Sequence, residues 1–228
     1  MILTLTDRKL ETPTIETFFF TSQTKIDYDA GQFFYVTLPS LSKSDPRGNM
    51  RHLSVSSSPT EELIAFSVRF PQKHSAYKSA LKNLALGSQV NADGPHGVYS
   101  WPYDAGDHIF IAGGIGIAPM RSRIKYVFDK KLKKVNYLLI YSVHDKQDEA
   151  FGNELLEISK KMANFKAKTI FTEKVGRLNK ESLAILIPST DNTFWVCGKP
   201  EMVDSIEESL VGLGIRNEKI LTEKFTGY

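Results

Sequence analysis

Cysteine is nearly missing from this chain. A single thiol, Cys197, stands among 228 residues. That excludes an internal disulfide and any zinc or iron–sulfur site built from several thiolates of this chain. No metal is expected, and a cysteine-ligated cluster would have to belong to another protein. Long apolar runs are lacking as well: nothing approaches the ~20 residues of a membrane-spanning helix. The opening MILTLTDRKLE carries no signal-peptide pattern, so a cytoplasmic place is expected. One-sided charge is absent too. A net charge of +3 is too small to point to nucleic acid, and the cluster Lys130–Lys134 reads as a solvated helix end. Internal repeats and low-complexity tracts do not occur. What remains is an ordinary globular composition, 41% apolar and 24% charged, with enough length for one or two cores.

Two rhythms divide the chain near Trp101–Asp107. Before that point short strands dominate, rich in Phe, Val, Thr and Ile. They are expected at Ile2–Leu5, Ile15–Thr21, Gln32–Leu38, Leu53–Ser56, Leu63–Arg69 and Gln89–Ala92, with one helix at Ser75–Leu84. Their close spacing predicts a small barrel or sandwich. Phe18, Phe19, Phe20, Phe33, Phe34 and Tyr35 read mostly as strand core. After the division, strand and helix alternate. Strands are expected at His108–Ala112, Asn136–Val143, Ala167–Phe171, Thr193–Cys197 and Ile220–Glu223, with helices between the first four and after the fourth. Such alternation predicts a parallel sheet whose ligands collect at the carboxyl ends of the strands. The expected division is therefore 1–102, an antiparallel β-barrel, and 103–228, an α/β domain.

Chemistry concentrates in a few patches. Ala112–Ser122, AGGIGIAPMRS, joins a strand to a helix. Gly113, Gly114 and Gly116 allow a tight turn and close approach to a pyrophosphate, and Pro119 suits a first helical turn. Ser75 is a good helix N-cap. Tyr141–His144 and Val196–Pro200 lie at other strand ends.

RHLSVSSSP in the first half, then AGGIGIAP, VCGKPEM and a terminal EKF, in that order, resemble the ferredoxin–NADP reductase superfamily. GQF at Gly31–Phe33 and GPHG at Gly94–Gly97 fit the same order, and the resemblance spans nearly the whole chain. It implies a FAD-binding barrel followed by an NAD(P)-binding α/β domain. It also implies hydride transfer from NADPH or NADH to FAD, then electron transfer to a separate ferredoxin, flavodoxin or other small redox protein. No nucleic acid and no membrane span enter this expectation.

By this resemblance Arg51, His52, Leu53 and Ser54 form the flavin signature, with Arg51 at the diphosphate and Ser54 near flavin N5. Leu53 replaces the usual tyrosine, which leaves the tightness of flavin binding open. Ser75 places a helix start against the diphosphate. Ser142 and His144 occupy the place that chooses the coenzyme; the lack of a carboxylate there leans toward NADPH, with Lys146 and Arg177 assisting. Cys197 and Gly198 lie against the nicotinamide. Glu223 organises the site or relays a proton, while Phe225 or Tyr228 covers the flavin. Lys43, Arg47, Lys73 and Lys78 could steer an acidic carrier. Two alternatives stay open: a free-flavin or ferric reductase using flavin as substrate, and a non-enzymatic FAD electron-transfer subunit of a larger complex.

Overall fold

The computed structural model describes residues 1–97 and 106–226. The expected division between 102 and 103 lies outside them, as does Tyr228. The first half contains six antiparallel strands: β1 (Ile2–Thr12), β2 (Ile15–Ser22), β3 (Phe33–Thr37), β4 (Met50–Ser54), β5 (Ile64–Arg69) and β6 (Gln89–His96). Their order is β4-β3-β6-β1-β2-β5. A bridge between Val55 and Phe66 brings the outer strands together and rolls the sheet into a barrel. Alternation fills it, because every second side chain points inward: Leu3, Leu5, Phe18, Phe20, Phe34, Val36 and Val90 are all buried in one cluster. A short helix, α1 (Ala76–Lys82), closes one end. Ser75 caps it by accepting from Lys78 N–H at 3.2 Å.

Phe33 and Tyr35 depart from the expectation of strand core. β3 alternates, so while Phe34 and Val36 fill the barrel, these two rings face outward, and Tyr35 is exposed. They meet His52 and His96 there instead.

The second half is a parallel five-stranded sheet of β7 (His108–Gly113), β8 (Tyr137–Val143), β9 (Phe165–Phe171), β10 (Thr193–Gly198) and β11 (Ile220–Lys224). Strand order is β11-β10-β7-β8-β9. β7 and β10 are buried along nearly their whole length, as expected for central strands covered by helices on both faces. Those helices are α2 (Ile117–Asp129), α3 (Gly152–Lys161), the single turn α4 (Thr172–Val175), α5 (Lys180–Leu186) and α6 (Pro200–Gly212). The chain order reverses between β7 and β10. That reversal opens a crevice at their carboxyl ends, where ligands of such sheets bind.

α2 joins the halves. Arg121 donates to both oxygens of Glu61 from the barrel and both oxygens of Glu154 on α3, and also reaches Ser56 O at 3.1 Å. Burial works against its charge, but the hydrogen bonds to Glu61 and Glu154 outweigh it and raise the guanidinium pKa above its ordinary value. Ser122 Oγ donates to Ser57 O at 2.5 Å, and Gly31 N–H reaches that hydroxyl at 3.3 Å. Among the described residues, no helix is long and apolar enough to cross a membrane.

Candidate functional site

Two cavities meet where the barrel touches the crevice. The first, about 110 Å³, has walls from β4 (Arg51, His52, Leu53, Ser54), from α1 (Tyr77, Lys78), from the glycine turn (Ile115) and from the tail (Phe225, Thr226). The second, about 450 Å³, lies at the carboxyl ends of β7, β8 and β9 and is lined by Gly113, Gly114, Ser142, His144, Thr172 and Arg177 among others. Arg69, at the end of β5, lines both.

The smaller cavity is rich in positive charge. Arg47, Arg51, Arg69 and Lys78 converge on it. Arg51 is held by an ion pair to Asp45 at 2.7 Å, by three loop carbonyls, and by the face of Tyr77 at 4.9 Å. Asp45 also accepts from the Tyr77 and Arg47 N–H groups; those bonds, then Arg51, hold its carboxyl below the ordinary range. Burial first, then Arg69, Arg47 and Arg51, pull Lys78 down to about 8. Four cations among its walls make a donor set suited to a diphosphate, with two directed donors on each arginine. Leu53 pairs with Phe34 across the sheet and packs on the barrel core, presenting only an apolar edge to a flat ring. The cavity is smaller than the ~300 Å³ usual for ligand pockets. Phe225 and Thr226 of the tail are among its walls.

At the junction, three strand ends come together. Cys197 on β10 stands in register with Ala112 of β7 on one side and Glu223 of β11 on the other. Glu223 reaches across to the barrel and accepts a hydrogen bond from Ser54 Oγ at 2.7 Å. Burial raises the Glu223 pKa, while Ser54 and Arg123 oppose that shift. Burial, then Glu223, pushes the Cys197 thiol well above its ordinary value. A thiol held neutral is a packing group and not a nucleophile. His52 Nε2 lies 3.7 Å from the Glu223 carboxylate, and burial lowers the pKa of this imidazole.

The glycines act through close approach. A side chain at Gly116 would stand 2.2 Å from Cys197 O, and one at Gly113 would stand 2.4 Å from Met202 Sδ. Gly114 takes φ +53°, a conformation that glycine adopts without strain. Gly113 and Gly114 line the larger cavity, whereas Gly116 and Pro119 are buried beneath it. Ser75 caps α1 but is not a wall of the smaller cavity; Tyr77 and Lys78 take that place. Gly198 packs under Met202 and accepts from Phe225 N–H at 2.8 Å. Lys146 is paired with Glu149 and does not line the cleft.

One expectation needs correction. No carboxylate was expected near the coenzyme-choosing strand end, yet His144, Asp145 and Glu173 bring ligand atoms within 4.8 Å of one another. Glu173 arrives from α4, where its N–H donates to His144 O at 3.1 Å. Asp145 and Glu173 do not line the larger cavity but Asp148 does, so the lean toward NADPH has no missing carboxylate to rest on. Arg69, Asp45 and Met202 were missed altogether. Met202 ends the VCGKPEM motif and Arg69 ends its strand, but neither was singled out; Asp45 lies in a polar loop and meets Arg51 and Tyr77 within the barrel half.

Residues 110–208 match a family model described as "Oxidoreductase NAD-binding domain". The strands, crevice and paired cavities agree with that match. Residues 110–208 carry that NAD-binding domain, and the two-domain fold is similar to that of ferredoxin–NADP reductase-like proteins. Its similarity to Flavohemoprotein A of Dictyostelium discoideum is 28% identity over 87% of this chain and 52% of the relative. NADH-cytochrome b5 reductase 1 of Kluyveromyces lactis is 29% identical over 61% of this chain and 54% of that protein. A ferredoxin–NADP+ reductase from Plasmodium falciparum superposes with a TM-score of 0.82 at 18% identity, covering 98% of this chain and 95% of that one. That likeness of fold extends over both halves. The chain spans about half the length of the curated relatives it matches.

Proposed function

We propose that this chain is a flavin-dependent NAD(P)H oxidoreductase, with residues 1–102 holding FAD and 103–228 holding NAD(P)H. Bound FAD would supply the redox chemistry, accepting hydride from the coenzyme and giving up electrons singly. Arg51 and Lys78, with Arg47 and Arg69, bind the diphosphate. Gly113 and Gly114 let the coenzyme pyrophosphate approach the start of α2, and Ser142, His144 and Arg177 meet its adenosine end. Cys197 and Gly198 support the nicotinamide, and Phe225 occupies its place until it binds, which excludes water. Ser54 and Glu223 hold and move a proton at the flavin. One observation carries the reading: Ser54, a wall of the cationic cavity, hydrogen-bonds Glu223 of β11, which ties that cavity to the sheet whose glycine turn walls the crevice.

The acceptor in this reading is a separate one-electron carrier such as ferredoxin or flavodoxin. The names of the flavohemoprotein and cytochrome b5 reductase relatives add haem proteins as candidates. The test is an anaerobic spectral titration of the FAD-loaded chain with NADPH and with NADH. Bleaching of the flavin band is the expected result, and the coenzyme that bleaches at lower concentration is the natural one. A flavin that stays bound and unbleached by either would end the proposal in favour of an electron-transfer subunit.

A further inference from the structure

We propose that His52 is the solvent-side end of a proton path whose inner members are Glu223 and Ser54. His52 is a positioning residue in this scheme, acting through Glu223, and the proposal rests on the flavin reading above. Ser54 Oγ and His52 Nε2 address the same carboxylate oxygen, at 2.7 and 3.7 Å. Exposure rises outward along the three: Ser54 is buried, the Glu223 side chain is 14% exposed and that of His52 36%. The imidazole is thus the member with broad access to water. A gap of 3.7 Å exceeds a hydrogen bond; catalytic contacts of this kind are often long without ligand and tighten when one binds.

The ring is held in place for this. Phe33 packs on it with centroids 3.9 Å apart, and Phe225 meets it edge-on at 6.5 Å. Few charges compete. Tyr35 approaches from β3, and behind Tyr35 stands His96 of β6, itself paired with Asp93 at 3.0 Å. Arg123 of α2 acts on Glu223 from the far side. Burial lowers the His52 pKa and raises that of Glu223, which draws the proton affinities of the two groups toward each other.

The chemistry is asymmetric. Hydride arrives as a hydrogen with its electron pair, so the flavin nitrogen needs no proton from solvent. When two one-electron acceptors later take that pair, the N–H bond breaks and its proton must leave. It moves to Ser54 Oγ as the hydroxyl proton passes to Glu223. Glu223 then protonates His52 Nε2, and the imidazole releases a proton to water. Two electrons and one proton exit, balancing the hydride that entered.

The test uses the full FAD-loaded chain and His52→Gln in anaerobic stopped flow. Bleaching by the coenzyme is compared with re-oxidation by ferricyanide across pH. Re-oxidation should slow about tenfold more than bleaching, lose its pH dependence, and recover in part with added imidazole. A second readout needs no flavin: the NMR titration midpoint of the His52 ring should move when Glu223→Gln is introduced. Equal slowing of both steps without imidazole rescue overturns the proposal, as does a His52 midpoint indifferent to Glu223→Gln. Failure of either coenzyme to bleach the flavin would instead overturn the oxidoreductase reading, and this path with it.

Discussion

Glu223 gathers the most consequences for a single side chain. Its folded pKa is raised by burial. What it adds to stability is therefore fully present below the ordinary carboxylate value near ~4.3 and is lost as pH rises through the raised value. His52 runs the other way: burial lowers its pKa, and its contribution is lost as pH falls below the ordinary ~6.5. Glu223→Gln should thus melt no lower than the parent at pH 8 and show a smaller loss between pH 5 and 8, read by thermal denaturation. Electron transfer through the loaded variant should fall about a hundredfold, the usual cost of losing a proton-transferring group. Lys78 supports a second prediction. A diphosphate restores the charge that burial and three arginines suppress, so FAD binding takes up a proton. Affinity should decline as pH passes about 8, and Lys78→Met should remove that slope while weakening binding at pH 7 about tenfold. Quenching of flavin fluorescence measures both. Ser54 and Glu223 were legible as candidates because each belongs to a recognisable motif. Asp45 was not, since a lone aspartate in a polar loop carries no signal until Arg51 and Tyr77 are seen to meet it.

At the scale of elements, the strand-to-helix glycine turn is the most constrained piece. Gly116 packs against the backbone of β10, and a methyl group there would stand 2.2 Å from Cys197 O. Backbone cannot yield as a side-chain tip can. Gly116→Ala should cost about 1–3 kcal/mol in urea unfolding and weaken coenzyme binding by displacing the start of α2. Gly113 faces a softer neighbour in Met202, so the same change there should cost less. Element identity was highly legible. The alternation in the first half and the continuous apolar strands in the second share one period of two; the first buries one face of the strand and the second buries both. The outward turn of Phe33 and Tyr35 was hidden because both faces of β3 carry aromatics, and period alone does not say which row faces the barrel.

The whole molecule depends on how two independently patterned halves are fastened, and Arg121 does most of that work. Its guanidinium satisfies Glu61 and Glu154 together while mostly buried. Arg121→Ala strands two carboxylates at the joint, so the chain should lose about 3–5 kcal/mol, the range for breaking a buried pair from one side. Denaturant unfolding of the variant should also separate into two transitions if the halves part before they melt. By sequence alone, the barrel, the parallel sheet, the glycine turn and the superfamily resemblance were determined, because each follows from local periodicity or a contiguous motif. The meeting of Ser54 with Glu223 across 169 positions, the arrival of Arg69 between two cavities, and that of Glu173 beside His144 were decided only by tertiary structure. Those contacts come from how the barrel docks on the sheet and how loops return over strand ends, and no local pattern encodes a distance between segments so far apart in the chain.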